Sequence, residues 1–310
     1  MCGRYASARQ RIELLEEFSV QRDRVTEPLA PDYNIAPTKP VYAVLSRAGR
    51  QEDSADQEDS ADQEDTGRQE DTGAAGVARE LRVVRWGLVP SWAKDVSIGS
   101  RLINARAETV SEKPAYRRAF AKRRCLLPAD GYYEWQVLEG AGKKAKQPFF
   151  IHRADGGPLA FAGLYELWRD RAVPDGDPDA WLWSATIITT SAPDELGQIH
   201  DRMPMVISPG SWADWLDPAN NDVSDLRALL APAVAGGLDS YPVSTTVNSV
   251  RNNGPELIEP VAAGRIVPLG AAEPLWAAEP LWAAEPPAAS REKHGGPPRG
   301  NHGGAGAPQS

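Results

Sequence analysis

Short apolar or β-branched stretches, rather than long helical repeats, dominate the hydrophobic pattern of this chain. Clusters of glycine, proline and aspartate separate these stretches, and the combination is typical of β-strands joined by turns. The stretches that predict strands are 41–45, 81–86, 147–151, 159–164 and 182–190. Two further stretches, 125–128 and 131–135, predict a strand and a turn. The chain is therefore expected to be rich in sheet.

Helical spacing of apolar residues occurs only in a few short segments. Ile12, Leu15 and Phe18 recur at helical intervals and predict a helix at 9–18. Shorter helices are predicted at 114–122, 211–216 and 223–230. Because strands dominate and helices do not alternate regularly with them, we predict an α+β fold rather than a doubly wound parallel sheet.

Two low-complexity segments interrupt this pattern. Gln-Glu-Asp-Ser-Ala-Asp occurs twice at 51–62, and Ala-Ala-Glu-Pro-Leu-Trp is repeated at 271–282. Such segments do not bury a core, so we expect 47–78 to be a disordered insert in a hairpin loop and 270–310 a disordered tail. The predicted domain spans 1–269. The insert is either passenger material or a charged regulatory tether, and the sequence leaves both interpretations open.

The net negative charge of the chain comes entirely from the insert. The formal net charge is -9 at pH 7, and residues 51–72 hold ten acidic residues against one basic residue, Arg68. Removing these from the 43 acidic and 34 basic residues of the whole chain leaves 33 of each. The remainder is therefore neutral overall, which is compatible with a local basic face of the kind that binds nucleic acid.

The cysteine count and the apolar pattern favour a reducing compartment. Two cysteines, Cys2 and Cys125, cannot build a disulfide framework. No signal-peptide pattern opens the chain, and no apolar run approaches the roughly 20 residues that span a bilayer. The four histidines lack metal-ligand spacing. We therefore expect a cytoplasmic protein without a metal, a cofactor or a membrane partner.

The first two residues suggest unusual chemistry. Removal of Met1 would leave Cys2 with a free α-amine, whose reference pKa is about 7.7–8.0, beside a thiol with a reference pKa of about 8.5. Such an amine condenses with an aldehyde to an imine, and the thiol then closes a thiazolidine ring on the imine carbon. This chemistry predicts an exposed aminothiol at the mouth of a cleft. A chance cysteine at a frayed terminus is the alternative.

Two internal stretches carry further candidate chemistry. Asn104 could orient a carbonyl group and Arg106 could clamp a phosphate, although a turn asparagine and a surface arginine are equally consistent. Glu134 lies between Tyr133 and Trp135, where desolvation would raise its pKa and suit it to proton transfer. A strand glutamate that faces water is the alternative.

Histidine and tryptophan supply the remaining candidates. His200, followed directly by Asp and Arg, is an acid–base candidate, with a partly buried structural histidine as the alternative. Trp86 and Trp92 alternate with Arg85 and Lys94, as in platforms that stack single-stranded bases, although core packing is the usual role of tryptophan. Fingerprints of nucleotide-binding loops, zinc proteases and serine hydrolases are lacking.

Seven short motifs occur in a fixed order along the chain. They are Met1-Cys2-Gly3-Arg4, Tyr33-Asn34-Ile35-Ala36-Pro37, Trp86-Gly87-Leu88-Val89-Pro90, Ile103-Asn104-Ala105-Arg106-Ala107-Glu108-Thr109, Ala129-Asp130-Gly131-Tyr132-Tyr133-Glu134-Trp135, His200-Asp201-Arg202-Met203-Pro204 and Asn253-Gly254-Pro255-Glu256-Leu257. Together they resemble the SRAP family of SOS response-associated peptidases, also called abasic-site processing proteins. The resemblance covers about residues 1–268 apart from the insert.

The resemblance implies a single α+β domain with a barrel-like, mostly antiparallel β core flanked by short helices. It also implies a DNA-damage protein, acting as a monomer at the nucleoid, that links itself covalently to abasic sites in single-stranded DNA through Cys2. By position, Asn104 would hold the terminal residue and the sugar, and Glu134 would move protons. His200 would assist formation and reversal of the imine.

The resemblance further assigns a DNA-binding surface. Arg4, Arg85 and Arg106 would contact phosphates, Trp92 would wedge against bases at the lesion, and Thr189 would line the pocket wall. Ala93 stands where many members carry a second tryptophan, which predicts a narrower wedge.

Two rival functions use the same residues. The first is a cysteine-dependent, self-processing peptidase or amidohydrolase with Cys2 as nucleophile and Glu134 and His200 as acid–base partners, a hydrolase or lyase-like class. The second is a non-covalent binder of single-stranded DNA, which would retain its function after Cys2→Ala.

Overall fold

The computed structural model describes residues 2–48, 77–138, 146–174, 176–230 and 237–261. The chain divides into two units, Met1–Ala272 and Glu273–Ser310, and every described residue lies in the first. The expected disorder of the insert and of the tail concerns residues outside the described ranges, so it stays a prediction. The same holds for the domain boundary at 269.

Strands make up most of the regular structure in the described ranges. The strands are β1 (Tyr5–Ser7), β2 (Arg22–Asp23), β3 (Asp32–Ile35), β4 (Pro40–Ala48), β5 (Val77–Trp86), β6 (Asn104–Arg106), β7 (Arg124–Ala129), β8 (Gly131–Val137), β9 (Lys146–Arg153), β10 (Leu159–Arg169), β11 (Trp181–Ser191), β12 (Arg202–Pro204) and β13 (Leu238–Pro242).

The helices of the described chain are short. The α-helices are α1 (Arg11–Glu17), α2 (Arg117–Lys122), α3 (Asp194–Gly197), α4 (Trp212–Leu216) and α5 (Val223–Ala228), and 3₁₀ turns occupy Val96–Arg101, Pro178–Ala180, Pro209–Ser211, Thr245–Asn248 and Pro255–Ile258. Each predicted helix forms inside its predicted range. Helix α2 begins at Arg117 rather than at 114, because consecutive turns occupy the preceding residues. None of these helices is long and apolar enough to cross a membrane.

Five strands close into a mixed barrel. Strands β5, β4, β7, β10 and β11 pair in that order, each antiparallel to its neighbour. The ring closes where β11 runs parallel to β5, with Ser184 opposite Arg85 and Ala185 opposite Trp86. Strands β2, β6 and β12 add to the barrel at β5 and β11. The predicted α+β fold with a barrel-like, mostly antiparallel core is confirmed.

The β4–β5 hairpin sets the position of the acidic insert. Its register runs without interruption from Pro40 opposite Arg85 to Ala48 opposite Val77. Pairing therefore extends two residues at each end into the range predicted as insert, because the strands keep their ladder hydrogen bonds up to those positions. The hairpin itself agrees with the predicted arrangement.

Alternating side chains give the barrel strands two buried faces. On β4, Val41, Ala43 and Leu45 enter one hydrophobic cluster, whereas Tyr42 and Val44 enter another. Successive side chains of a strand point to opposite faces, so a strand covered on both sides reads as a continuous apolar run. The helices cover one of these faces, where Phe18 stacks on Trp212 with ring centroids 4.5 Å apart.

A second sheet fixes the amino terminus. Its strand order is β13-β9-β8-β1-β3, so the first strand of the chain lies inside the sheet rather than at an edge. Tyr5 of β1 is opposite Tyr132 on β8 and opposite Ile35 on β3. Backbone hydrogen bonds on both sides therefore hold the chain from a point three residues after Cys2.

Candidate active site

Cys2 lies buried at the entrance to β1. Its backbone carbonyl accepts a 2.7 Å hydrogen bond from Nδ2 of Asn104, and its thiol lies 3.9 Å from the carbonyl oxygen of Arg4. The side chain is 0% exposed and belongs to the cluster that contains Tyr5 and Trp86. The prediction of an exposed thiol is therefore wrong, because this residue packs against the apolar barrel core instead of facing the solvent.

Burial also controls the acidity of the Cys2 thiol. Desolvation raises the pKa of this thiol well above its ordinary value, and the negative charge of Glu134 raises it further. The positive charge of the amino terminus and the hydrogen bond to Arg4 act in the opposite direction with smaller effect. The thiol is therefore protonated at neutral pH, which disfavours direct attack by a thiolate and favours a reaction in which an amine acts first.

Asn104 is held from two directions. It lies on β6, which runs parallel to β11, and the indole of Trp86 donates a 3.0 Å hydrogen bond to the carbonyl of the preceding Ile103. The hydroxyl of Tyr116 donates to the carbonyl of Asn104 at 3.1 Å. Within the described ranges, its Oδ1 is buried without a hydrogen-bond partner. One side of the amide thus positions Cys2 and the other remains available to a donor group of a substrate.

Glu134 approaches the same point from β8. Alternation along this strand places Glu134 and Tyr132 on one face, while Tyr133 packs into a separate cluster on the other face. The residue is 3% exposed. Burial raises its pKa to about 7, although the positive charge of the amino terminus opposes this rise. The carboxyl group is therefore poised to give and take protons near neutral pH.

His200 completes the polar cluster. Its Nδ1 accepts a 3.0 Å hydrogen bond from the backbone N–H of Arg202 and lies 3.0 Å from Oδ1 of Asp201. Burial lowers the pKa of His200, and the nearby positive charge of the amino terminus lowers it further. A neutral ring whose Nδ1 accepts from the backbone carries its proton on Nε2. The positive charges of the amino terminus and Lys146 affect the pKa of both Glu134 and His200.

Of the predicted phosphate ligands, Arg106 lies at the surface beside Asn104, whereas Arg85 points to the face of β5 opposite Trp86. Arg106 is exposed, lies two residues after Asn104 on the same face of β6, and forms no ion pair within the described chain. Arg85 is half-buried on β5, and its Nε has no hydrogen-bond partner among the described residues. Trp92 follows β5 in a turn and is 60% exposed, which is consistent with the predicted wedge.

The other two predicted DNA contacts have structural partners. Arg4 donates from its terminal nitrogens to Oδ1 of Asn34 at 2.7 Å and to the carbonyls of Val247 and Asn248, at 2.9 and 3.2 Å. Only part of its guanidinium is left for a phosphate. Thr189 is fully buried and accepts a 3.2 Å hydrogen bond from Arg202, so it forms part of the wall behind the site. Their DNA contacts stay predictions.

Two supporting residues were not among the predicted site residues. Arg202 contacts both carboxylate oxygens of Glu108 and also donates to the carbonyl of Thr189, so it ties β12 to the edge of β11. Its position inside the motif 200–204, two residues after His200, was the available signal. Tyr116, which supports Asn104, lies outside the quoted motifs, and nothing in the sequence distinguishes it from a core tyrosine.

The fold and the site together define a class of protein. This class has a small β-barrel domain whose amino-terminal cysteine is held by an asparagine beside a buried glutamate and a histidine. The family model described as SOS response associated peptidase (SRAP) matches residues 1–250. The chain belongs to the SRAP family. Within the described residues, no cluster of histidine, cysteine and carboxylate side chains could hold a metal ion.

Named relatives and solved structures agree with this assignment. The chain is 37% identical to "Abasic site processing protein YoqW" of Bacillus subtilis, over 84% of this chain and 99% of that protein. It is 32% identical to "Abasic site processing protein HMCES" of Gallus gallus, over 76% of this chain and 67% of that protein. A crystal structure of a protein from Bacteroides thetaiotaomicron superposes with a TM-score of 0.63 at 24% sequence identity. The match covers 84% of this chain and 100% of that chain, and it supports the fold.

Proposed function

We propose that this protein processes abasic sites by forming a thiazolidine between Cys2 and the ring-opened sugar aldehyde in single-stranded DNA. The observation that carries the proposal is the convergence on Cys2 of the Asn104 amide and the Glu134 carboxyl group, whose pKa lies at about 7. The relatives named as abasic site processing proteins support the same substrate.

The reaction begins once Met1 has been removed. The Cys2 amine attacks C1′ of the aldehyde and forms a carbinolamine. Glu134 in its acid form protonates the hydroxyl group of this intermediate, which leaves as water and gives a protonated imine. The Cys2 sulfur then bonds to the imine carbon while the thiol proton passes to the Glu134 carboxylate, and the electron pair of the C=N bond moves to the nitrogen, which keeps its hydrogen. One aldehyde and one aminothiol thus become one thiazolidine and one water, and Glu134 returns to its acid form.

The other polar groups hold and assist the reacting centres. Asn104 fixes the backbone of Cys2, and its free Oδ1 accepts a hydrogen bond from the opened sugar. His200 donates through Nε2 to the sugar oxygen during formation and reversal of the imine. A burial-lowered pKa keeps this ring neutral at pH 7, with its proton on Nε2.

Phosphate contacts and stacking would hold the strand. Arg106 offers a guanidinium group on the same face of β6 as Asn104, Arg85 offers another on β5, and the exposed indole of Trp92 offers a surface for a base. The protein would act as a monomer on DNA in the cytoplasm at the nucleoid, during the SOS response. No cofactor is needed, since the aminothiol and the carboxyl group supply every reacting atom other than those of the sugar.

The peptidase alternative uses the same cysteine differently. A cysteine peptidase needs a thiolate at neutral pH, whereas burial and the charge of Glu134 raise the pKa of the Cys2 thiol. This electrostatic setting favours a thiol that traps an imine over a thiol that attacks a peptide carbonyl. The one peptide bond whose cleavage the proposal requires is the bond between Met1 and Cys2.

The deciding experiment compares mature protein on abasic and intact single-stranded oligonucleotides. Mass spectrometry first confirms that Met1 is absent. The expected result is a heat-stable shifted band with the abasic strand alone. Cys2→Ser retains the amine but cannot close a thiazolidine, so it should give an adduct only after borohydride reduction. Cys2→Ala is the second control, because it retains the amine and has neither a thiol nor a hydroxyl group. A stable band with both oligonucleotides, or with neither, would reject the proposed function.

A further inference from the structure

Two of the seven motifs, 33–37 and 253–257, supply no group to the proposed reaction. In the structure the two motifs meet, because Oδ1 of Asn253 accepts a 2.8 Å hydrogen bond from the backbone N–H of Tyr33. The loop 245–253, which follows β13, ends at this contact. A late segment of the chain is therefore fastened to β3, the strand that pairs with β1.

Asn34 makes the central contacts between β3 and this loop. The residue is fully buried. Its Nδ2 donates at 3.2, 2.9 and 3.0 Å to three carbonyls of the loop, which belong to Val247, Ser249 and Asn252. Oδ1 of the same amide accepts a 2.7 Å hydrogen bond from Nη1 of Arg4. One buried amide thus connects the loop to the residue two positions after the reactive cysteine.

The loop also contacts the neighbours of both reacting residues directly. The guanidinium of Arg4 donates to two of its backbone carbonyls. The indole of Trp135, the residue after Glu134, donates a 2.6 Å hydrogen bond to Oδ1 of Asn248. The guanidinium carbon of Arg4 lies 5.9 Å from the centre of the Trp135 ring, within the distance at which a cation and a ring attract. The loop is therefore joined to the chain beside Cys2 and to the chain beside Glu134.

The reactive end of the chain needs such contacts to keep one position. Terminal residues fray unless the structure holds them, and Cys2 lies three residues before Tyr5, the first paired residue of β1. Asn104 holds the carbonyl of Cys2. On the other side, the N–H of Tyr133 donates to the carbonyl of Arg4 at 3.0 Å, and the Arg4 side chain is fixed by Asn34 and the loop. Loss of that side-chain contact would free the segment between the sheet and Cys2.

We propose that the 245–253 loop is a positioning element for crosslinking and that Asn34 is the positioning residue through which it acts, by holding Arg4 and so keeping Cys2 in its buried place. This assignment rests on the proposed function and gives a role to two motifs that carry no reacting group. Neither Asn34 nor the loop contributes an atom to the thiazolidine. Release of the loop should therefore expose the Cys2 thiol and, at the same time, slow crosslinking.

The test measures two rates on the mature full-length chain. The first is alkylation of the Cys2 thiol by iodoacetamide without DNA, followed by mass spectrometry, which separates it from alkylation of Cys125. It is measured with and without a low concentration of urea, because local opening exposes little surface and responds weakly to urea, whereas global unfolding responds strongly. The second is the single-turnover crosslinking rate at saturating abasic single-stranded DNA, where weaker DNA binding does not change the rate.

The variants separate loss of the loop contact from loss of stability. Asn34→Ala removes the central amide. Asn253→Ala is the second variant, because Asn253 is exposed and its loss is compatible with folding, and Asn253→Asp keeps the acceptor for the N–H of Tyr33. Tyr42→Phe is the stability control, since it removes the hydroxyl that accepts a 2.8 Å hydrogen bond from the N–H of Leu29 and leaves the loop intact.

Asn34→Ala should raise the Cys2 alkylation rate about 10- to 100-fold, because each lost hydrogen bond favours local opening about 2- to 10-fold and this amide makes four. The rise should be insensitive to low urea. Crosslinking at saturating DNA should be about 10- to 100-fold slower. Asn253→Ala should change both rates in the same directions about 2- to 10-fold, Asn253→Asp should recover most of each change, and Tyr42→Phe should match the wild type.

Two results would overturn the positioning role. In the first, Cys2 alkylation of Asn34→Ala and Asn253→Ala stays at the wild-type rate or rises only with urea, which would leave the loop a role in global stability alone. In the second, alkylation rises but crosslinking at saturating DNA stays within twofold of the wild type. Failure of the proposed function would look different, because the wild-type protein would then form no adduct while its Cys2 alkylation still responded to the variants.

Discussion

The side-chain amide of Asn104 holds the backbone carbonyl of Cys2 at 2.7 Å, across 102 residues of sequence. This contact restricts the residue whose amine and thiol would both react. Orientation of reacting groups accounts for a large share of enzymatic rate acceleration, so a contact that fixes the nucleophile is a sensitive target for mutation.

Asn104→Ala should slow crosslinking about 10- to 100-fold, equivalent to about 1.4–2.8 kcal/mol of transition-state stabilisation. The variant loses the donor to Cys2 and the acceptor Oδ1, but the fold should lose only about 1 kcal/mol, typical of one hydrogen bond. Single-turnover rates and thermal melts measure the two effects. A crosslinking rate within twofold of wild type would remove Asn104 from the mechanism.

The crosslinking rate should depend on the protonation of Glu134. Because its acid form donates the proton, the rate limited by loss of water should fall as pH rises through about 7. Glu134→Gln should be slower at every pH and should lack this limb of the profile. Rates between pH 5.5 and 8.5, with wild type as the reference, test the assignment. If the crosslinking rate of Glu134→Gln also fell as pH rises through about 7, the titration would belong to another group.

The same carboxyl group should make folding stability pH-dependent. Its pKa is about 7 in the folded state, against a model value of 4.5, so the folded state retains a proton that the unfolded state loses. The contribution to stability is fully present below pH 4.5 and is lost as pH rises to about 7. Glu134→Gln should therefore gain about 2–3 kcal/mol relative to wild type between pH 4.5 and 8 in urea titrations. A constant difference between the two proteins across this range would contradict the raised pKa.

Arg106→Ala should weaken binding to single-stranded DNA most strongly at low salt. Loss of one phosphate contact should reduce the slope of log affinity against log salt concentration by about 0.7. Fluorescence anisotropy with an intact oligonucleotide measures this slope without crosslinking. Arg24→Ala removes an equal charge beside Glu80 and is the matched control. Equal slopes for Arg106→Ala and the wild type would place Arg106 outside the strand path.

Arg202→Lys should destabilise the edge of the barrel. Lysine cannot reproduce the contacts of the guanidinium with both oxygens of Glu108 and with Thr189, and their loss should cost about 1–3 kcal/mol. The hydrogen bond from Arg202 lowers the pKa of Glu108, so the stability that this pair contributes is present above pH 4.5 and is lost as pH falls below it. Thermal melts at pH 7 and pH 3.5 should show a larger difference between wild type and variant at pH 7.

Local patterns in the sequence predicted the long strands of the described chain and its α-helices other than α3, but they did not predict the short strands β1, β2, β3, β6, β12 and β13. On β4, a short apolar run flanked by turn residues indicates a buried strand whichever sheet it joins. The parallel pairing of Ser184 with Arg85, which closes the barrel, was not predictable in the same way. It joins two segments distant in sequence, and no single window contains the information that brings them together.

In the candidate site, too, the chemistry of single residues was predictable, whereas packing between distant segments was not. Residue chemistry marked Cys2, Glu134 and His200 as candidates beside structural alternatives, and their roles, which the family resemblance implies, stay predictions. The burial of the Cys2 thiol was missed because it depends on packing by residues from both sheets. The internal hydrogen bonds of Arg4 were missed for a related reason, since their acceptors lie more than 200 residues away in Val247 and Asn248.

The position of β1 inside its sheet has a practical consequence. Only Gly3 and Arg4 separate Cys2 from the first paired residue, Tyr5, so the reactive end has almost no slack. A purification tag fused to the amino end would remove the free amine that the proposed reaction needs. Recombinant production should place affinity tags at the carboxyl end and leave the amino end to be trimmed naturally.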